Sequence, residues 1–167
     1  MARSFKGFSL IELLIVVAII LIVAAIAIPS LLRSRIAANQ ASSVGSLRTL
    51  NTAEITYSST YNMGFSATMA YLAPPAAAGA SPSSTAAGLI DSILAAGFKS
   101  GYSFAYSAGL ADSTGHINTY EFNAAPITAS TGRNYYRTDQ SGVIRQNSTT
   151  AASSTDSPIA GELFQKQ

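Results

Sequence analysis

The strongest constraint on this chain is one apolar stretch near its N-terminus. Between Phe8 and Leu32 there are 25 residues with a single charged side chain, that of Glu12. As an α-helix, which rises about 1.5 Å per residue, the stretch would be about 38 Å long and would exceed the hydrocarbon core of a bilayer, about 30 Å. The sequence therefore predicts a transmembrane helix at residues 8–32.

Basic residues predict the orientation and the fate of this segment. Arg3 and Lys6 precede it, so the positive-inside rule places the N-terminus in the cytoplasm and the rest of the chain outside. A cleaved secretory signal has the same beginning, but it ends in a cleavage site made of small residues. Here Gly7 precedes the apolar run while Arg33 and Arg35 follow it, so we expect the segment to stay in the mature protein.

Residues 6–12, with the sequence Lys-Gly-Phe-Ser-Leu-Ile-Glu, resemble the prepilin peptidase site of the type IV pilin and type II secretion pseudopilin superfamily. The resemblance implies cleavage between Gly7 and Phe8 on the cytoplasmic side, N-methylation of Phe8 and retention of the apolar segment. Removal of the leader, residues 1–7, would leave eight basic and eight acidic residues of the original ten and eight. The mature chain is therefore expected to be neutral, and its composition gives no argument for a nucleic-acid surface.

Glu12 needs a physical reason, because a carboxylate within lipid costs about 2.5–3.5 kcal/mol on insertion scales. One alternative is that Glu12 lies at the membrane interface among solvated headgroups. The other is a pair with the α-amino group of Phe8, in the same chain or in a neighbouring subunit, which would offset the desolvation. In the family that the motif resembles, the matching glutamate has this assembly role between subunits, and the resemblance implies it for Glu12 and Phe8.

Pro29 is the second irregularity, because a proline inside a helix removes the hydrogen bond to the carbonyl of Ala25. It either ends the helix or bends it, while the family resemblance implies that the helix continues and makes Pro29 a third assembly residue. Continuation is favoured by apolar residues that loosely follow one stripe: Leu31, Leu32, Ile36, Val44, Leu47, Leu50, Ile55 and Tyr57. We predict a helix that ends near Tyr61, about 80 Å long. Residues 8–32 would lie in the membrane or in a filament core, and residues 33–61 would form the second half of the helix.

Residues 62–167 are predicted to form one globular head. Asn62 and Gly64 supply a helix stop. Residues 73–88 contain only Ala, Pro, Gly, Ser and Thr and predict a loop, and residues 89–97 predict one short amphipathic helix.

The head is also predicted to contain a sheet. Tyr102, Phe104 and Tyr106 alternate with small residues, which indicates a strand at residues 101–107. Further strands fit residues 117–123, 133–138 and 143–146, with a hairpin loop at 111–115 and a turn at 139–142. The predicted fold class is α+β and pilin-like, with a long N-terminal helix packed on a small antiparallel sheet of three or four strands. Eight of the fifteen aromatic residues lie between Phe98 and Tyr136, and we interpret them as core instead of a stacking platform for ligands.

Other candidate sites are weak. His116 is the only histidine, and no nucleophile arrangement surrounds it, so no catalytic residue, cofactor or small-molecule substrate is predicted. Asp139 could contribute to a calcium site, but Asp-x-x-Gly is more often a turn, and no metal ligand is assigned. Asn147 begins an Asn-Ser-Thr glycosylation sequon. Arg33, Arg35 and Arg48 are interpreted as a basic stripe beyond the membrane.

The chain has no cysteine, whereas many characterised pilins close their C-terminal region with a disulfide. The anchoring of residues 148–167 is therefore an open question from the sequence.

The predicted function is that of a structural, non-enzymatic subunit of a type IV pilus. Expected partners are further copies of the same chain in a helical filament, prepilin peptidase and an inner-membrane assembly platform. Before assembly the subunit would span the inner membrane once, and afterwards it would lie in an extracellular pilus that serves motility, adhesion or DNA uptake. The alternative is a pseudopilin in a periplasmic filament of type II secretion. A membrane-anchored enzyme or binding module, which uses the helix only as a tether, is the third hypothesis.

Overall fold

The computed structural model describes residues 7–77 and 79–160, and it has an α+β fold, as predicted. The elements are α1 (Leu10–Tyr61), a 3-10 helix (Met69–Leu72), α2 (Ser92–Ala95), β1 (Phe98–Lys99), β2 (Tyr102–Ala108), β3 (Tyr120–Pro126), β4 (Tyr135–Asp139) and β5 (Arg145–Asn147). By its internal contacts the chain divides into two units, Met1–Arg35 and Ile36–Gln167. Six of the seven predicted leader residues, Ala78 of the predicted loop and residues 161–167 of the predicted head lie outside the described residues.

Helix α1 runs without interruption through Pro29, so the alternative that the proline ends the helix is wrong. The helix ends at Tyr61, as predicted, and Asn62 follows in the left-handed region with φ 51°. Gly64 has φ 77°, and a Cβ there would lie 2.2 Å from the carbonyl oxygen of Ile117. Only glycine fits this position, because it combines a left-handed backbone with a close backbone approach.

The second half of α1 carries the buried face of the helix. Its buried residues are Ser43, Ser46, Leu47, Leu50, Asn51, Ala53, Glu54 and Tyr57. The predicted inward positions of Leu47, Leu50 and Tyr57 are confirmed, but Ile55 is 61% exposed and its predicted position in the stripe is wrong. The buried residues recur at spacings of three and four, and Ile55 lies two residues from Tyr57 and five from Leu50, which places it off that face.

The five strands form one antiparallel meander in the order β1 to β5. Four of them were predicted, and the two-residue β1 was missed. Strand β3 begins at Tyr120, three residues later than predicted, because Ile117 forms isolated bridges with Gly64 and Ala111 instead. The predicted alternation of β2 is confirmed for Tyr102 and Phe104, which are buried.

The core joins α1 to one face of this sheet. Helix residues Leu47, Leu50 and Tyr57 belong to the same buried cluster as the aromatic side chains of the middle strands. These aromatic residues are Tyr102, Phe104, Tyr120, Phe122 and Tyr136, none more than 6% exposed. Since they are buried in the head, the interpretation of the aromatic residues as core is confirmed for these five.

The connection between α1 and the sheet is mostly irregular, as predicted for residues 73–88 in the part that the structure describes. The predicted helix at 89–97 is reduced to one turn, Ser92–Ala95, where the Asp91 carboxylate caps the helix by accepting the N–H of Leu94 at 2.8 Å. Leu94 is buried whereas Ile93 is exposed. The 3-10 helix at Met69–Leu72 was not predicted.

The segment after β5 is closed by hydrogen bonds. The Asn147 side-chain amide donates to both carboxylate oxygens of Asp156 at 3.2 Å, and Arg145 donates to the Asp156 carbonyl at 2.9 Å. The Ile159 N–H donates to the Ile144 carbonyl at 3.0 Å, and Ile159 is buried. The described part of the tail, to residue 160, is therefore anchored without a disulfide, and the sequon nitrogen of Asn147 is engaged by Asp156.

Candidate processing and assembly segment

The predicted cleavage site lies just before the helix. Gly7, Phe8 and Ser9 have no regular secondary structure, and the first helical hydrogen bond runs from the N–H of Leu13 to the carbonyl of Ser9 at 3.3 Å. Phe8 is 81% exposed. A Cβ at Gly7 would meet nothing within 4 Å, so packing within the chain does not require glycine at this position.

Glu12 lies in the first turn of α1, and its carboxylate points back to the start of the helix. Its Oε2 accepts the backbone N–H of Ser9 at 2.9 Å. This is one half of a capping box, in which a glutamate three residues after the cap satisfies a free N–H, and a negative charge there is also favoured by the helix dipole. The sequence prediction missed Ser9 as a contact of Glu12, although the Ser-x-x-Glu spacing was readable.

The surface of α1 before residue 33 is apolar and exposed within the chain. Its large side chains include some that are between 47% and 73% exposed: Leu13, Val17, Leu21, Ile26 and Leu31. Among the described residues, α1 is the one helix that is long and apolar enough to cross a membrane, and no part of its apolar window is buried. Apolar surface of this extent requires lipid or another protein chain to cover it.

Pro29 lies inside this helix and lacks an N–H, so the carbonyl of Ala25 loses its usual helical donor. One turn later the Ser34 hydroxyl donates to the Ser30 carbonyl at 3.1 Å. Arg33 and Arg35 are exposed in the first unit and Arg48 in the second. Residues two apart on a helix do not face each other. Arg33 and Arg35 therefore do not lie on one stripe, in contrast to the prediction.

His116 is an exposed loop residue and its backbone, not its ring, makes the local contact. The backbone N–H of His116 donates to Asp112 Oδ1 at 3.0 Å, beside the N–H and hydroxyl of Thr114 at 2.8 and 2.6 Å. The Asn118 amide donates to Asp112 Oδ2 at 2.9 Å. These donors, the Thr114 hydroxyl first, lower the pKa of Asp112, and they make the predicted hairpin loop an ordered turn around one carboxylate.

Asp139 lies in a turn, as predicted. Its carbonyl accepts the N–H of Gly142 and its carboxylate accepts the N–H of Ser141, both at 2.9 Å, while Arg137 lies 3.5 Å from the other carboxylate oxygen. Within residues 7–77 and 79–160, no group of three or more histidine or acidic side chains is placed to hold a metal ion.

Comparison with known protein families identifies the N-terminal segment. Residues 2–28 match the model of the prokaryotic N-terminal methylation motif. This segment therefore has the processing signal of a prepilin, of the type IV pilin or pseudopilin kind. The match covers the predicted cleavage site, Glu12 and most of the apolar half of α1, and proteins with this motif are structural. No curated protein and no solved structure matches the chain.

Proposed function

We propose that this chain is the precursor of a major structural subunit of a type IV pilus. The mature subunit begins at Phe8 and polymerises through the first half of α1. The observation that carries this proposal is the exposed apolar surface of α1, most of which lies within the segment that matches the methylation motif. The subunit acts by assembly and performs no catalysis.

Processing is the first step. Prepilin peptidase cleaves between Gly7 and Phe8, and the new α-amino group of Phe8 is methylated. A protease needs an accessible peptide outside a helix, and residues 7–9 are exposed and have no regular secondary structure. Since packing within the chain does not require glycine at position 7, we assign this requirement to recognition by the peptidase.

Glu12 then gives the assembly its axial register. In lipid or in a filament core a carboxylate needs partners, and the Ser9 N–H supplies only one of them. The Phe8 ammonium of a neighbouring subunit supplies the opposite charge. A subunit that is one step out of register would leave both charges unpaired, so the pair selects the correct position.

Localisation follows from the same helix. Before assembly α1 spans the inner membrane once, with the leader in the cytoplasm, and an inner-membrane platform extracts the subunit into the filament. Pro29 lowers the cost of bending α1 during this transfer, because the hydrogen bond to Ala25 is already missing. The assembled pilus is extracellular and serves motility, adhesion or DNA uptake.

Mass spectrometry of filaments sheared from the cell surface tests the proposal. The expected N-terminal peptide begins with N-methylated Phe8 in long external fibres. Residues 1–7 still attached in the assembled protein would contradict the processing step. A processed chain that is missing from surface fibres, together with loss of protein export when it is deleted, would indicate the pseudopilin. A processed chain that enters no filament at all would indicate a membrane-anchored module.

A further inference from the structure

A second acidic residue of α1, Glu54, is fully buried in the head. Its side chain is 0% exposed, and among the described residues it has no lysine, arginine or histidine in ion-pair distance. The titratable groups that face it are phenols: Tyr57 from α1, Tyr106 from β2 and Tyr120 from β3. None of these groups offers a positive charge, so an ionised Glu54 would be an uncompensated buried anion.

The partner of Glu54 is Ser66, in the segment that connects α1 to the rest of the head. Glu54 Oε2 accepts the backbone N–H of Ser66 at 2.9 Å, and Glu54 Oε1 lies 2.7 Å from the Ser66 hydroxyl oxygen. The same hydroxyl oxygen lies 3.1 Å from the carbonyl oxygen of Thr68 and 3.3 Å from the hydroxyl oxygen of Tyr106. The Tyr106 hydroxyl donates its own hydrogen to the Ser66 carbonyl at 2.5 Å.

Counting hydrogens favours the protonated state of Glu54. The Ser66 hydroxyl has one hydrogen. If Glu54 is ionised, Ser66 can donate that hydrogen either to the carboxylate or to the Thr68 carbonyl. The other of these two oxygens then contacts the Ser66 oxygen without a hydrogen between them. If Glu54 is protonated on Oε1, it donates to the Ser66 hydroxyl oxygen, and Ser66 donates to the Thr68 carbonyl. Both short contacts are then hydrogen bonds.

We infer that Glu54 is a neutral carboxylic acid in the folded protein and that its proton fastens residues 62–68 to α1. This segment also carries the contacts of Phe65 and Met63 with Ile117, at 2.7 and 3.4 Å. Loss of the proton leaves a buried anion with hydrogen bonds from Ser66 but with no positive charge beside it, so the segment opens as the pH rises. The contact between Glu54 and residues 62–68 therefore weakens at alkaline pH, and this property is independent of how the subunit assembles.

The sign of the pH dependence follows from burial. Desolvation raises the pKa of Glu54 above its ordinary value of 4.5, against the opposing hydrogen bonds from Ser66. A folded-state pKa that is raised gives a contribution to stability that is complete below the ordinary value and is lost as the pH rises through the folded-state value. Within that window the folding equilibrium constant of the head falls by up to about tenfold per pH unit.

The test uses the full mature chain in detergent. Infrared spectra at neutral pH are expected to contain a protonated-carboxyl band that is missing from Glu54→Gln. Denaturant midpoints of the wild type, measured between about pH 4 and pH 8, should fall with rising pH as the stabilisation by protonated Glu54 is lost. This part of the pH dependence should be missing from Glu54→Gln. Amide exchange at residues 62–68, corrected for the intrinsic effect of pH, should accelerate in the wild type only.

Glu121→Gln is the matched control. Glu121 is paired with Arg137 at 2.7 Å, and this guanidinium lowers the pKa of Glu121, so this variant should retain both the band and the loss of stability on the alkaline side. If Glu54→Gln does not fold, Ser66→Ala decides, because removal of the hydroxyl should shift the band in the wild-type background. The inference is overturned if the wild type has no protonated-carboxyl band, or if Glu54→Gln has the same pH slope as the wild type.

Discussion

The two halves of α1 differ in what covers them. Before residue 33 the helix is almost entirely apolar and its large side chains are exposed within the chain. From Ser43 to Tyr57 the same helix buries eight side chains, half of them polar or charged. Among the described residues, the large side chains of the more hydrophobic half are therefore exposed, whereas the more polar half forms one face of the core. Hydrophobicity alone predicts that a segment will be covered, but not by what.

The two acidic residues of α1 follow the same division. Glu12 is exposed in the first turn, where one backbone N–H meets its carboxylate, and Glu54 is buried among hydroxyl groups. We expect the first to need an ion partner from another subunit, and the second to need a proton. Substitutions that separate assembly from folding test this comparison.

The largest effect is expected for Glu12→Ala. Removal of one partner of a buried charge pair costs about 3–5 kcal/mol, so incorporation into filaments should fall more than about 100-fold. The head should unfold at the same denaturant concentration as the wild type. Quantitative immunoblots of sheared filaments and of whole cells measure the first effect.

Ser9→Ala is the control for this experiment, because it retains the backbone N–H that Glu12 accepts. It should assemble normally. Normal filaments from Glu12→Ala would remove the charge pair from the mechanism.

Truncation of the buried half is expected to act on folding. Leu50 is fully buried, so Leu50→Ala should lower the free energy of unfolding by about 2–5 kcal/mol. Ile22→Ala, in the exposed half, should leave that free energy unchanged and reduce filament yield only. Urea titration of the detergent-solubilised chain distinguishes them, and equal losses of stability would contradict the division of α1.

Two glycines provide a smaller and opposite pair of effects. Gly64→Ala should destabilise the head by at least about 1–2 kcal/mol, because its φ of 77° is left-handed and its Cβ would overlap the Ile117 carbonyl. Gly45 lies in the helix, and a Cβ there meets nothing within 4 Å. Gly45→Ala should therefore stabilise the subunit by about 0.5–1 kcal/mol. Thermal unfolding of both variants measures these shifts, and destabilisation by Gly45→Ala would show that the helix has a contact at this position.

The smallest effect is expected at the end of the head. The Ser153 N–H and the Asn147 amide lower the pKa of Asp156, so its contribution to stability is present above the ordinary aspartate value and is lost as the pH falls through the lower folded-state value. At neutral pH, Asp156→Asn should lower the protection of the amides of residues 148–158 against exchange to that of the acidified wild type, after correction for the intrinsic effect of pH. Unchanged exchange would mean that Ile159 alone anchors the tail.

The elements with local signals were predictable from the sequence. The end of α1 was marked by Asn62 and Gly64, and β2 was marked by alternating aromatic residues. Strand β1 was missed because two residues cannot display a period. Strand β3 was shifted because Ile117 bridges to Gly64, which lies 53 positions earlier in the chain.

The processing site and Glu12 were predicted from a compact motif, and Pro29 was predicted as an irregularity in the helix. The match to residues 2–28 supports the methylation signal. The roles of Glu12 and Pro29 stay predictions. Burial of Asn51 and Glu54 could not be predicted, because their partners, Thr138 and Ser66, become neighbours only in the fold. The sequence alone therefore does not show that a polar helix residue is exposed, because its hydrogen-bond partner can come from another part of the chain.

The closure of the tail by Asn147 and Asp156 has a consequence for how the subunit matures. A disulfide requires an oxidant, and it forms or reshuffles over seconds to hours, depending on the oxidant and on any isomerase. Here the same end of the chain is held by an amide and a carboxylate, whose hydrogen bonds need no chemical reaction to form. The subunit can therefore complete its fold at the membrane without thiol chemistry, and reductants such as dithiothreitol should leave its stability unchanged.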